Sequence, residues 1–77
     1  MGEVEAVTFE EAKTLTLEYW YGERNKLPLP MRDMPRRIIA SQSFSINAIV
    51  ANIESNTDIG VWLIAEYIDS MGMVVSG

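Results

Sequence analysis

TDIGVWLIAEYIDSM, residues 57–71, decides how the rest of this chain is read. Asn56 or Thr57 can cap a helix here, and Asp58 in the first turn complements the positive end of the helix dipole. The helix predicted from about 58 to 71 has a narrow polar stripe of Asp58, Glu66, Asp69 and Ser70. Val61, Trp62, Leu63, Ile64, Ala65, Tyr67 and Ile68 surround nearly all the rest of the cylinder. A surface helix of a monomer shows a clearer polar half. This one is expected to be the central core helix, a subunit interface, or both. Gly72 is placed to end it, and Met73-Val74-Val75 reads as a short strand.

Working back along the chain, Ile38, Ile39, Ile46, Ile49, Val50 and Ile53 recur at helical spacing between Pro35 and Glu54. Pro35 suits a first helical turn, with Asp33 as its N-cap. Ser41, Ser43 and Ser45 each weaken a helix interior and each can cap a new helix. One helix over 35–54 fits, and so do two with a break near Ser43; the break fits slightly better. Residues 23–35 hold all the prolines, and the residue before each proline is pushed away from the α region. That segment is expected to be an extended, stiff connector, with Leu27, Leu29 and Met31 alternating so that one side lies on the protein.

At the start, EVEAV (3–7) alternates with the period of a strand. Thr8 and Glu11 form a capping box, in which each side chain satisfies a backbone N–H of the first turn. The helix they open is predicted from about Phe9 to Tyr21, with Gly22 ending it in the left-handed conformation. Phe9, Ala12, Thr16, Tyr19 and Trp20 share its apolar face, with Leu15 beside them. The strand EVEAV can pair with Met73-Val74-Val75 at the other end of the chain.

Seventy-seven residues make one domain, spanning 1–77. A chain this short buries only about 60% of the surface its unfolded form exposes. Its own core then rarely supplies more than roughly 3–5 kcal/mol unless something staples it. There is no cysteine and no histidine, so no disulfide and no thiolate or imidazole metal site can form. Nucleophilic catalysis through Ser–His or Cys–His is excluded on the same ground. Glu66 and Asp69 lie three apart on one helix face, but no further ligand motif or phosphate-binding glycine loop accompanies them. No catalytic residue, metal or cofactor is therefore expected. The longest apolar run is too short to span a membrane, and MGEVEAV lacks the basic region of a signal peptide. A cytoplasmic protein is the expectation.

The net charge is −5, and all six Lys and Arg lie at or before Arg37. Arg36 and Arg37, with Arg24, Lys26 and Arg32 on the adjoining loop, make a local basic patch. Three readings compete for it. The patch offsets the acidic stripe of its own chain or of a twin subunit. It docks an acidic protein surface. Or it holds nucleic-acid phosphates, since arginine binds phosphate bidentately and helix N-termini attract anions.

SINAIVANIESNTDIGVWLIAEYIDSMGMVVSG, residues 45–77, runs helix, turn, helix, glycine, strand. In outline it resembles the second half of a winged helix, where a helix-turn-helix leads into a wing. That resemblance implies nucleic-acid binding through the second helix. The helix departs from such a role: it has no Arg, Lys, Asn or Gln after Asn56 to read bases, and Asp58, Glu66 and Asp69 repel phosphate. A winged-helix-like hairpin with this surface is expected to bind protein.

The fold expected from these patterns is mainly α. It is a small domain of three to four helices, with a short two-stranded ribbon pairing the N- and C-terminal ends. The function expected is a non-catalytic protein–protein interaction module: an adaptor, regulator or inhibitor that self-associates. Trp62, Ile64, Tyr67, Ile68 and Met71 are the expected apolar contact. Arg24, Lys26, Arg32, Arg36 and Arg37 are the expected anion or acidic-partner contact. The alternative is a nucleic-acid-binding regulator whose basic loop meets phosphates. Small size without an enzymatic motif also suits a phage-type accessory protein.

Overall fold

A computed structural model describes residues 4–76. The element order is β1 (Glu5–Thr8), α1 (Phe9–Asn25), a short 3₁₀ helix (Leu29–Asp33), β2 (Arg37–Ile39), β3 (Gln42–Phe44), α2 (Ile46–Glu54), α3 (Asp58–Ser70) and β4 (Met73–Ser76). The domain is mainly α, with three α-helices and a parallel ribbon of β1 and β4 joining the two ends of the chain. In register, Glu5 faces Met73 and Thr8 faces Ser76.

The capping box forms as the sequence predicts. The backbone N–H of Glu11 donates to Thr8 Oγ1 and that of Thr8 donates to Glu11 Oε1, both at 3.1 Å. The helix does not stop at Gly22, however; it runs on to Asn25. A glycine inside a helix costs about 1 kcal/mol. Here the last turn supplies compensation, because Lys26 reaches back to Glu23 and Arg24 lies over the Tyr21 ring. Ala12 and Thr16 are fully buried, Phe9, Leu17 and Trp20 pack against the core, and Leu15 and Tyr19 stay partly exposed.

Residues 23–25 of the expected connector belong to the last turn of α1, and beyond them the backbone is extended at Pro28 and at Met34. Between them the chain closes into the 3₁₀ helix, whose three residues per turn break the expected alternation. Leu29 and Met31 consequently face out, and only Leu27 is half-buried.

The largest correction falls on residues 35–44. They are a β-hairpin and not the start of a helix, and neither Pro35 nor Asp33 opens one. Asp33 instead accepts a hydrogen bond from Asn47 Nδ2. Ile38 and Ile39 are β-branched neighbours, which favour a strand, and in it they point opposite ways: Ile39 is buried and Ile38 is 74% exposed. Ala40 and Ser41 make the turn, with φ of 50° and 67°. The helix begins after the hairpin, where Ser45 Oγ accepts from the N–H of Ala48.

The core is the set of apolar residues that α2 and α3 present to each other and to α1. Ile46, Ile49, Val50, Ile53, Leu63, Ile64 and Ile68 are all fully buried, with Val7, Ala12 and Ile39 closing the set. Gly60 lets α2 and α3 touch, since a Cβ there would lie 2.0 Å from the Asn52 carbonyl oxygen. Thr57 caps α3 through the N–H of Gly60, and Gly72 leaves the helix at φ 75°. The winged-helix outline ends there. β4 pairs in parallel with β1, and the only antiparallel hairpin among the described residues precedes the helix pair instead of following it.

Candidate interaction surface

The outward face of α3 carries Asp58, Val61, Trp62, Ala65 and Asp69, all exposed. These positions share one side because residues three and four apart on a helix are neighbours. Two other elements extend the face. The β2–β3 hairpin brings Ile38 beside Trp62, in an open depression that also takes in Asp58 and Ile59. At the other end, Val74 of β4 shares a depression with Ala65 and Asp69. Ile38, Val61, Trp62 and Val74 are 74%, 41%, 46% and 49% exposed. The result is a diagonal apolar strip with an aspartate near each end.

Of the five residues expected to make the apolar contact, Trp62 and Met71 are exposed and Tyr67 is half-buried. Ile64 and Ile68 are each 1% exposed and belong to the core. They turn toward α1 and α2, so they cannot meet a partner without unfolding. Tyr67 and Met71 line a separate depression with Tyr19 and Trp20 from α1, where the Tyr19 and Tyr67 rings lie 5.0 Å apart. Ile38, Val61 and Val74 are strip residues that periodicity missed. Ile38 was hidden in an apparent helical pattern. Its only signal was the pair of β-branched residues just before a short polar run.

The five bases each have a partner within the chain, and not all share the same one. Arg37 pairs with Glu66 at 2.6 Å and lies over the Trp62 ring, 5.5 Å from its centroid. Arg36, one residue earlier, stands 3.6 Å from Glu23 at the end of α1, and both arginines line a depression with Pro35, Ile38 and Ser43. Lys26 holds the same Glu23 at 2.8 Å. That hydrogen bond, with the charges of Lys26 and Arg36 behind it, holds Glu23 below the usual carboxylate range. Arg32 Nε donates to the Leu27 carbonyl at 3.0 Å, and Arg24 lies over Tyr21. Arg36 and Arg37 sit beside and in strand β2, and not in a first helical turn.

Lys13 also has a local task. Its ammonium donates to the Glu54 carbonyl and to Asn56 Oδ1, capping the C-terminal end of α2. Tyr21 Oη donates to Glu54 Oε2 at 2.5 Å, and this bond pushes the phenol pKa up. Among the described residues, no cluster of three or more Asp and Glu is placed to hold a metal ion, and no helix is long and apolar enough to cross a membrane. No protein-family model matches the chain, and no curated protein or solved structure matches it.

Proposed function

We propose that this chain is a non-catalytic protein–protein interaction module, which docks another chain on the α3 face between the hairpin and β4. One observation carries the reading. Trp62, an aromatic of the kind that anchors interfaces, stands half-exposed with Arg37 stacked on it and Ile38 and Val61 exposed nearby. Large apolar side chains exposed singly are ordinary, whereas a contiguous row rimmed by charge marks a contact. The pairing of Arg37 with Glu66 supports the same reading, since it fixes the orientation of the indole beside it.

Phosphate binding by the basic loop draws less support. Each of its bases is engaged within the chain, by a carboxylate, a carbonyl or an aromatic ring. A tagged pull-down from native lysate, run with and without nuclease, tests the proposal. Wild type is expected to retain a protein partner after nuclease, and Trp62→Ser with Ile38→Ser to lose it. Recovery that depends on nucleic acid and vanishes in Arg36→Glu with Arg37→Glu would overturn the proposal.

A further inference from the structure

If the α3 face docks a protein, its charges say which kind. Asp58 and Asp69 flank the apolar row, Glu66 is taken by Arg37, and α3 carries no base anywhere along its length. A second copy of this chain laid on the same face would bring acid against acid. Antiparallel pairing sets Asp58 opposite the other copy's Asp69, and parallel pairing sets each aspartate against itself. Like charges across an interface select against that partner. We infer that the occupant is a different chain, one that presents an amphipathic helix with apolar residues at its centre and a Lys or Arg toward each end. The inference rests on the α3 face being a docking site at all.

Spacing makes the requirement concrete. Asp58 and Asp69 are separated along α3 by about 16 Å at 1.5 Å per residue. A helix lying along the face needs its two basic positions about three turns apart. Between them, side chains at i, i+3, i+4 and i+7 would meet Trp62, Val61 and Ala65, with Ile38 and Val74 at the diagonal corners. The depression between Ile38 and Trp62, ≈ 440 Å³ and open to solvent, takes the largest of these side chains. Arg37 is the base that lies on this face, and Glu66 already neutralises it; the other five bases have their partners elsewhere.

The test uses fluorescein-labelled designed peptides of about five helical turns, with leucine on one face and lysine at both ends. The reference peptide replaces each lysine by glutamate. Anisotropy titrations at low salt are expected to show binding of the lysine peptide at least tenfold tighter than of the glutamate peptide. Asp58→Asn with Asp69→Asn should weaken the lysine peptide several-fold. Glu10→Gln with Glu18→Gln, which changes net charge equally on the exposed side of α1, should leave it unchanged. Ile38→Ser should weaken both peptides without touching the core. Equal binding of the two peptides, or equal loss in both double variants, overturns the inference. If neither peptide binds and sedimentation shows a dimer that Trp62→Ser dissolves, the occupant is a second copy; the inference fails while the docking face stands. If neither peptide binds and the chain is a monomer unaffected by Trp62→Ser, both fall.

Discussion

Ala40 and Ser41 hold the left-handed conformation that a two-residue hairpin turn needs to match the twist of its strands. Asparagine and glycine adopt it readily, whereas alanine and serine do so at a cost of roughly 1–2 kcal/mol each. The strained turn borders the depression between Ile38 and Trp62. Ser41→Gly is expected to stabilise the domain by roughly 1 kcal/mol, read as a higher urea midpoint with an unchanged slope. No gain would mean that the strain is relieved elsewhere. The same pair explains why the hairpin was illegible in the sequence. Without Asn-Gly or Asp-Gly, the serines of ASQS mark a break but not a hairpin turn, and the isoleucines on either side fall into a helical spacing. Thr8 with Glu11, by contrast, was legible because a capping box is a local code: both bonds lie within one turn and need no tertiary partner.

At the scale of elements, the α2–α3 pair sets the architecture, and Gly60 sets how closely the two helices approach. The Asn52 carbonyl occupies the space of a side chain at that position, and backbone cannot move aside as a flexible side chain would. Gly60→Ala should therefore destabilise the domain by about 2 kcal/mol or more, although alanine is the better helix former. A chemical-denaturation curve indistinguishable from wild type would show that the helices can part freely. Both helices were legible, since Ser45 and Thr57 are caps of the expected type and the isoleucines of α2 all go inward. What could not be read was which side of α3 faces out. With apolar residues almost all round, the sequence offers only a narrow polar stripe to mark solvent, and the choice between Ile68 and Trp62 is made only when α1 and α2 arrive.

For the whole molecule, the division between core and strip separates stability from binding. Ile68 is buried and Ile38 is exposed, so the same kind of change has opposite consequences. Ile68→Asp puts an unpaired carboxylate into the core and is expected to leave the chain unfolded at room temperature. Ile38→Ser should shift the thermal midpoint by no more than a degree or two, since a surface change of this kind falls within about 0.5 kcal/mol. Circular dichroism melts of the two variants check this, and cooperative folding of Ile68→Asp would mean the core lies elsewhere. The charge asymmetry along the chain was legible from composition, but its resolution was not. It required the hairpin to carry Arg37 onto α3 and the long α1 to carry Glu23 out to Arg36.

The ribbon of β1 and β4 has a mechanical side. The two strands run the same way, so the chain enters the ladder at Glu5 and leaves it at Ser76, which stand at opposite ends. A tug on the two flanks of the domain does not peel the ladder open from one edge. It slides one strand along the other, and all the bonds between them share the load. The three helices hang within the loop so closed, shielded from tension until the ribbon lets go. A domain with its flanking strands clasped in this way resists being pulled apart more than its modest core would suggest.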